Sequence, residues 1–399
     1  MRKRFTIITL VVISFFVLSS CTVQWTKAVQ YGHISKNSFN ETVDMEIQNG
    51  LIFVPVHIDG KEYRFLFDTG APFSISEELQ KRHAFKVVSR GNIVDSDHSK
   101  KRVDWVQVDA IQIGDISFQN QTAFLGDFNA NPKLECLGFD GIIGSNLMRH
   151  CNWTIDQEQK KLTLSSSVDA RVVNESITIP FKEDLQYSMF INMAIGGAQV
   201  SNILVDYGSN GSIALNKKAF SVLKKSGIID NTLVETGAQQ SGVIGEPVDI
   251  NHEITVTDSV RLNDLRLNAV ELKTGKSDLV GNEVMSRFKV TIDWDNKALH
   301  LQESEPDTEP HETFGFSIGY TNEKGVYIQS VIENTLASQK GIKPNMKVTK
   351  VDMLDFENGS SFCDYVRYTP GAAVRLELID LNGARQEFTI AKTRLENNL

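Results

Sequence analysis

The sequence predicts an all-β protein in which one domain occurs twice and a smaller β-rich domain follows. Three observations support this prediction. Short stretches of alternating apolar and polar residues, bounded by Gly, Asn and Asp, fill much of the chain, as in VDAIQIGDISFQNQTAFLG and HEITVTDSVRLNDLRLNAVEL. Two separate pairs of segments repeat in nearly the same register. After residue 302 the composition changes and a different pattern begins.

The chain begins with a segment typical of export. Three basic residues, Arg2, Lys3 and Arg4, precede an apolar run that is too short for a convincing transmembrane span. The run ends at Leu-Ser-Ser-Cys21, which resembles the lipobox of bacterial lipoproteins. This resemblance implies a signal peptide at residues 1–20, lipidation of Cys21, a tether at residues 21–44 and an extracytoplasmic protein anchored to a membrane. An ordinary signal peptide or an uncleaved anchor is the alternative.

No acidic residue follows Cys21 directly, so inner-membrane retention or surface export has no positive signal. We therefore expect the periplasmic face of the outer membrane. The chain has 41 basic and 50 acidic residues, a formal net charge of −9, which argues against a nucleic-acid partner.

The cysteines and histidines predict no metal site and no cofactor. The eight histidines are scattered, and no CxxC or HExxH spacing occurs. Besides Cys21 the chain has Cys136, Cys151 and Cys363. Outside the cytoplasm Cys136 and Cys151 can pair as a disulfide, and buried free thiols are the alternative.

The repeat aligns two aspartates. When residues 51–71 are placed over residues 189–209, Asp68 falls on Asp206 and Gly70 on Gly208, and each copy contains a hairpin that runs into its aspartate. Residues 143–164 and 280–301 share eight identities in 22 positions, at an offset of 137 against 138 for the first pair. We therefore predict two copies of one domain, at residues 45–170 and 171–302. One short helix is expected after each aspartate, at EELQKRHAF and NKKAFSVLKKSG.

Two aspartates in equivalent positions have a chemical rationale. Asp68 alone is equally well interpreted as the end of a buried strand, but a second copy favours a catalytic pair. Two carboxylates about 3 Å apart cannot both ionise, so the pair shares one proton. One carboxylate can activate a water while the other protonates the scissile carbonyl oxygen. The glycine lets the backbone turn sharply, and the Thr69 hydroxyl can bond to the backbone of the opposite copy.

These motifs resemble those of the aspartic peptidases, both pepsin-like and retropepsin-like, over about residues 45–302. The family pattern is Asp-Thr/Ser-Gly followed later by two apolar residues and a glycine. The resemblance implies a bilobal pair of acid-protease β-barrels in one chain, active as a monomer on a peptide or protein substrate, with Asp68 and Asp206 as the catalytic dyad. The implied active-site turns and supporting motifs are Thr69, Gly70, Ala71, Tyr207, Gly208 and Ser209, with Ile142, Ile143, Gly144, Leu279, Val280 and Gly281.

The second turn departs from the family pattern at Tyr207, where Thr or Ser is expected. A phenol cannot make the short buried contact that Thr69 can make. The alternative is therefore a catalytically inactive peptide-binding or adaptor lipoprotein on the same fold, in which the second lobe only supports a binding cleft. The next residue also differs between the copies, Ala71 against Ser209. Because a serine can donate a hydrogen bond to the neighbouring aspartate, our hypothesis is that Asp206 is the ionised partner and Asp68 the protonated one.

Members of the family cover the cleft with a hairpin flap. The candidate here is the segment at residues 92–108, which has a polar tip and lacks a tyrosine. Trp105 is its nearest aromatic residue, and we expect it to belong to the core. The glycine-containing segment TGAQQSGVIGEP, residues 236–247, is the candidate for a matching loop.

An acidic, proline-containing linker is predicted at residues 303–312, and residues 313–399 resemble a PDZ domain. TFGFSI lies where the carboxylate-binding loop belongs, and NTLASQKGIKPNMKV resembles the segment that follows in bacterial examples. The resemblance implies that a peptide C terminus adds to a sheet edge with its carboxylate on the backbone amides of Phe314, Gly315 and Phe316. A structural or autoregulatory role is the alternative. A helix is predicted at about residues 336–340, and a final hairpin at Asn382-Gly383.

Overall fold

The computed structural model describes residues 24–243, 246–304 and 312–399, and it confirms the predicted all-β fold class. The predictions about residues 1–20, Cys21, most of the linker, and residues 244–245 of the second loop lie outside the described residues. No helix among the described residues is both long and apolar enough to span a membrane.

The first repeat forms strands β1–β12, which are β1 (His33–Ile34), β2 (Asn40–Asp44), β3 (Glu46–Gln48), β4 (Leu51–Ile58), β5 (Lys61–Phe67), β6 (Ser74–Ser76), β7 (Lys86–Val94), β8 (Lys100–Ile113), β9 (Ile116–Gly126), β10 (Gly141–Ile143), β11 (Asn152–Asp156) and β12 (Lys161–Ser165). Its helices are short: α1 (Trp25–Ala28), α2 (Glu77–His83), α3 (Pro132–Leu137) and α4 (Ser145–Met148), with a 3-10 turn at Phe128–Ala130.

Nine of these strands form one sheet, in the order β1-β9-β6-β10-β5-β4-β8-β7, with β3 against β4. The short strand β10 runs parallel to β5, so that Ile142 lies opposite Leu66 and Ile143 opposite Phe67. Phe67 and Ile143 are fully buried. This pairing places Gly144 beside the point where the chain leaves β5.

The second repeat follows with α5 (Ala170–Asn174), α6 (Lys217–Lys225) and α7 (Asn282–Met285). Its strands are β13 (Ile177–Pro180), β14 (Lys182–Glu183), β15 (Met189–Ile195), β16 (Ala198–Asp206), β17 (Ile213–Asn216), β18 (Leu233–Gln239), β19 (Val248–Thr257), β20 (Val260–Leu262), β21 (Leu265–Leu267), β22 (Val270–Gly275), β23 (Leu279–Gly281), β24 (Phe288–Asp293) and β25 (Ala298–Glu303). The strand β23 runs parallel to β16 just as β10 runs parallel to β5.

The predicted helices after the two aspartate turns are confirmed as α2 and α6. Each begins at a polar residue whose side chain caps the first turn: Ser76 Oγ accepts from the Leu79 N–H at 3.1 Å, and Asn216 Oδ1 accepts from the Ala219 N–H at 3.0 Å. Such caps satisfy N–H groups that have no partner inside the helix.

The two repeats meet in a six-stranded sheet of order β13-β25-β24-β11-β12-β2. Thr154 on β11 lies opposite Thr291 on β24, and their hydroxyl oxygens are 2.8 Å apart. These two threonines are equivalent residues of the repeat, so the two copies are related by an approximate two-fold axis at this pair. One hydrophobic core runs through both copies.

The C-terminal unit, residues 312–399, packs against both repeats. Its elements are β26 (Glu312–Thr313), β27 (Phe316–Thr321), β28 (Gly325–Ile332), α8 (Leu336–Gln339), β29 (Lys347–Val351), β30 (Leu354–Asp355), α9 (Phe362–Arg367), β31 (Ala373–Ile379), β32 (Arg385–Ala391), β33 (Thr393–Arg394) and a 3-10 turn at Leu395–Asn398. The predicted helix near residue 336 and the final hairpin around Asn382 are confirmed. The PDZ-like character of this unit stays a prediction.

Strand β18 of the second repeat pairs with β28 of the C-terminal unit, with Glu235 opposite Ile332 and Gly237 opposite Ser330. The carboxylate of Glu235 accepts a hydrogen bond from Ser330 Oγ at 2.5 Å and pairs with Lys273 Nζ at 3.1 Å. The second repeat and the C-terminal unit therefore share one continuous sheet.

The proposed Cys136–Cys151 disulfide was wrong. Cys136 on α3 is bonded to Cys363 on α9, and Cys151 is a buried free thiol. The physical reason is that Cys136 and Cys151 lie in different hydrophobic clusters, and Cys136 belongs to the cluster that includes α9. Burial raises the pKa of the Cys151 thiol well above its usual range, so this thiol stays protonated.

Candidate active site

Asp68 and Asp206 lie at equivalent strand ends and meet at the junction of the two repeats. Asp68 follows β5 and donates its N–H to the Ile143 carbonyl at 3.0 Å, and Asp206 ends β16 opposite Gly281. Each residue is half-buried, and each carboxyl group points at the turn of the opposite repeat.

The two aspartate turns are tied to each other through the hydroxyl of Thr69. Its Oγ1 donates to the Val205 carbonyl at 2.6 Å and accepts from the Tyr207 N–H at 3.1 Å. Thr69 is fully buried, so these bonds are shielded from water. The structure thus shows the contact to the opposite copy's backbone that the sequence predicted for this hydroxyl.

The glycines of the two turns allow the carboxyl groups to approach. A Cβ atom on Gly70 would lie 2.7 Å from Cγ of Asp206, and one on Gly208 would lie 2.3 Å from Cγ of Asp68. Each carboxyl group therefore packs against the glycine of the opposite turn. Any side chain at these two positions would displace an aspartate.

The apolar-Gly motifs support the turns from behind. The Ser145 N–H donates to the Ala71 carbonyl at 2.9 Å, and the Asn282 N–H donates to the Ser209 carbonyl at 2.7 Å. Ile142, Ile143 and Val280 are buried, whereas Leu279 is half-buried. Added Cβ atoms on Gly144 and Gly281 would lie about 2 Å from backbone atoms, at 2.1 Å from the Pro72 carbonyl carbon and 2.2 Å from the Gly211 oxygen. The structure thus brings all twelve turn and motif residues together around the two aspartates.

The electrostatics favour one shared proton. Burial raises the pKa of Asp206 well above its usual range, and the charge of the neighbouring Asp68 raises it further. Burial also raises the pKa of Asp68, but hydrogen bonds from the Gly70 N–H, at 2.8 Å, and from the Asp206 carboxyl group oppose this rise. Both pKa values are raised, so the two carboxyl groups share one proton as a coupled pair.

The hypothesis that Ser209 makes Asp206 the ionised partner stays a prediction. Within the described residues the two turns donate to these carboxylates through backbone N–H groups, and the Ser209 hydroxyl is not among the donors. Asp68 Oδ1 receives both the Gly70 and the Ala71 N–H, so Ala71 stabilises the ionised form through its main chain rather than through a side chain.

Tyr207 does not reach into a cleft. Its side chain is fully buried and its ring lies edge-on to Phe67, with the ring centroids 5.6 Å apart. The phenol oxygen has no hydrogen-bond partner among the described residues, and burial raises its pKa. An aromatic contact to Phe67 thus stands where a threonine hydroxyl would bond in a symmetric pair, and among the described residues the hydroxyl of Thr69 has no counterpart in the second turn.

The predicted hairpin is present as β7 and β8, and its tip contacts the other repeat; its role as a flap stays a prediction. Asp97 at the tip is 3 % exposed and accepts hydrogen bonds from the Ser241 N–H at 2.8 Å and the Gly242 N–H at 2.7 Å. Sequence reasoning missed Asp97, because nothing local to a polar hairpin tip identifies a partner 145 residues away. Trp105 is buried and stacks on Trp25 with ring centroids 6.0 Å apart, in agreement with a core role.

The predicted carboxylate-binding loop lies between β26 and β27 of the C-terminal unit and takes no part in the dyad. The Gly315 N–H donates to Thr313 Oγ1 at 3.0 Å, and Phe316 begins β27 opposite Val331. Thr313 therefore already engages one of the three predicted amides. The role of Phe314, Gly315 and Phe316 stays a prediction.

Comparison with known proteins agrees with this geometry. The family model described as aspartyl protease matches residues 54–147, from β4 to α4, a range that includes the first aspartate turn and its supporting motif. No curated protein matches the chain. The match supports peptidase activity at this coarse level.

Proposed function

We propose that this protein is an aspartic endopeptidase that hydrolyses peptide bonds with a water molecule activated by Asp68 and Asp206. The observation that supports this proposal most directly is the contact of each carboxyl group with the glycine of the opposite turn, with one proton between the pair.

We assign the shared proton to Asp206 for the start of the reaction, because Asp68 Oδ1 accepts two backbone N–H groups and Asp206 Oδ1 accepts one. Ionised Asp68 takes a proton from water as the water oxygen bonds to the scissile carbonyl carbon, and Asp206 gives its proton to the carbonyl oxygen. The resulting tetrahedral diol collapses, the C–N bond breaks, and the leaving nitrogen receives the proton held by Asp68. A proton from one hydroxyl of the diol returns to Asp206, so the enzyme ends with Asp206 protonated and Asp68 ionised, as it began.

The enzyme acts outside the cytoplasm as a monomer, tethered to a membrane through a lipid on Cys21. Two observations support this location. Cys21 ends a lipobox-like sequence, and the Cys136–Cys363 disulfide is typical of oxidising compartments. A single chain supplies both aspartates, so the proposed site needs no second copy.

The C-terminal unit is proposed to bind the C termini of peptides or proteins, as its resemblance to PDZ domains implies. Such a terminus would add as a strand beside β27, which pairs with β28 and lies next to helix α9, where Tyr320 stacks on Phe362 with ring centroids 5.7 Å apart.

A non-catalytic peptide-binding protein on the same fold is the second candidate, and Tyr207 favours it. The side-chain hydrogen bond of the second turn is absent there within the described residues, so this lobe lacks the hydroxyl contact that Thr69 makes in the first.

A cleavage assay separates the two candidates. Purified protein is incubated with a peptide library from about pH 3 to pH 8, a range that brackets the usual and raised carboxyl pKa values. We expect cleavage by the wild type and none by Asp68→Asn or Asp206→Asn. If the wild type binds peptides but releases no more product than the two variants at any pH, the binding protein is the correct assignment.

A further inference from the structure

The groove between β27 and α9 is occupied by the first repeat. Helix α3 contacts both elements, and Cys136 and Leu137 lie in the same buried cluster as Phe362 and Val366 of α9. Tyr320 of β27 packs against this cluster. The surface where a strand-adding peptide would lie is therefore covered by another part of the chain.

Polar contacts fix the covering segment at its edges. Arg367 Nη2 donates to the Cys136 carbonyl at 3.3 Å, and Asn49 Nδ2 donates to the Val366 carbonyl at 2.8 Å. The cavity that remains has a volume of about 10 Å³, which is room for about one water molecule and none for a peptide. It is lined by Asn131, Pro132, Lys133, Gln240, Gly319, Tyr320, Gln329 and Phe362.

The disulfide makes this arrangement covalent. It joins α3 to α9 across 227 residues of sequence. A segment held in this way competes with a free ligand at an effective concentration on the order of millimolar, so a peptide of equal intrinsic affinity at micromolar concentration does not displace it. Helix α3 has only six residues and has little stability of its own, so its position depends on this link and on packing.

We propose that the groove between β27 and α9 is a docking surface for helix α3, and that the Cys136–Cys363 disulfide closes it to peptide C termini until a dithiol reduces the bond. The proposal rests on the proposed function of the C-terminal unit as a peptide-binding module.

The opening step is thiol–disulfide exchange. One thiolate of the dithiol attacks the Cys363 sulfur, which belongs to the more accessible of the two residues, and Cys136 leaves as a thiolate. The second thiol of the reductant then attacks the mixed disulfide and releases Cys363. Two electrons and two protons pass to the protein, which gains two thiols, and the reductant becomes a disulfide.

Peptide binding tests the proposal. An Asp68→Asn background prevents loss of the probe by cleavage. The probe is a pool of fluorescent peptides with free C-terminal carboxylates and apolar last residues, with the amidated pool as its control. Binding is measured to the oxidised protein, to the same protein in dithiothreitol, and to Cys136→Ser/Cys363→Ser, with Cys151→Ser as the matched control. We expect an apparent Kd at least tenfold lower for the two forms without the disulfide, and no binding of the amidated pool.

Amide hydrogen exchange supplies a readout that needs no ligand. Residues 132–137 and 316–321 are expected to exchange faster in both forms without the disulfide, while residues 152–156 of the central sheet do not change. Unchanged exchange overturns the proposal, because packing alone then holds α3. Equal peptide binding with and without the disulfide, or binding to neither form, also overturns it. A failure of the peptidase proposal would leave these results unaffected, since they are measured without cleavage.

Discussion

The hydroxyl of Thr69 offers a sharp test of the candidate site, because one atom makes two buried hydrogen bonds between the turns. Thr69→Val preserves the shape of the side chain and removes that atom. The Val205 carbonyl and the Tyr207 N–H then lose their partner in a buried place. Each unsatisfied buried group costs about 1–3 kcal/mol, so the free energy of unfolding should fall by about 2–6 kcal/mol. The whole free energy of unfolding of a typical domain is only about 5–15 kcal/mol.

Thr69→Ser is the matched control. It keeps the hydroxyl and removes one methyl group, so the expected loss is only about 1 kcal/mol. Activity should separate the two variants as well. A shift of about 1 Å in a catalytic group can lower the rate about a hundredfold, so we expect kcat/KM of Thr69→Val to fall at least that far, while Thr69→Ser remains close to wild type.

The measurements are urea unfolding and peptide cleavage on the same preparations. Trp153 packs on Phe67, just before the first turn, with ring centroids 5.7 Å apart, so its fluorescence reports on this region. If Thr69→Val and Thr69→Ser agree within about 1 kcal/mol in stability and within a few fold in kcat/KM, the hydroxyl does not hold the two turns together.

Three further variants address the phenol, the shared proton and the flap. Tyr207→Phe removes a buried hydroxyl that has no partner among the described residues, so the free energy of unfolding in urea should rise by about 1 kcal/mol or more while activity is retained. A fall in this free energy would mean that the hydroxyl makes a hydrogen bond. The pKa of Asp206 is higher in the folded state than in the unfolded state, so between these two pKa values the folded protein binds more protons. The free energy of unfolding therefore falls as pH rises through this window. Asp206→Asn should flatten that fall in denaturation curves recorded across the window, and a slope equal to wild type would contradict the assignment of the proton. Burial alone would raise the pKa of Asp97, but hydrogen bonds from Gly242, Gln239 and Ser241 outweigh burial and lower it. The ionised Asp97 therefore stabilises the folded state above the usual carboxyl pKa, and this contribution is lost as the pH falls below it. Asp97→Asn should speed amide exchange at residues 92–103 at neutral pH and raise KM more than it lowers kcat, and unchanged exchange would show that the tip contact is dispensable.

The repeat is what made the site predictable. Asp68 and Asp206 could be paired because each follows an apolar strand at the same offset, and the motifs at Gly144 and Gly281 keep that register. Local patterns also predicted the helices after both turns, since each has a polar capping residue directly before its first turn. Repetition and periodicity are properties of sequence that translate directly into backbone geometry.

The features that sequence reasoning missed are long-range contacts without a local signal. Cys136 bonds to Cys363 rather than to its nearer neighbour in sequence, because the packing of α3 on α9 brings them together. The hydrogen bonds that the turns donate to Asp68 come from backbone N–H groups, which every residue except proline carries, so no side-chain pattern indicates them. The Asp97 contact depends on how two lobes face each other, and no pattern within either segment records this.

The pairing of β18 with β28 bears on how this protein can be divided. A Cβ on Gly237 would lie 2.2 Å from the Gln329 carbonyl oxygen, so the two strands approach as closely as a glycine permits. Strand β18 leads directly into Ser241 and Gly242, which hold the flap tip. A chain shortened to end before β26 would leave β18 as an open edge, which is a template for aggregation. The C-terminal unit is therefore not a detachable module. We expect the two repeats and the C-terminal unit to fold and unfold together.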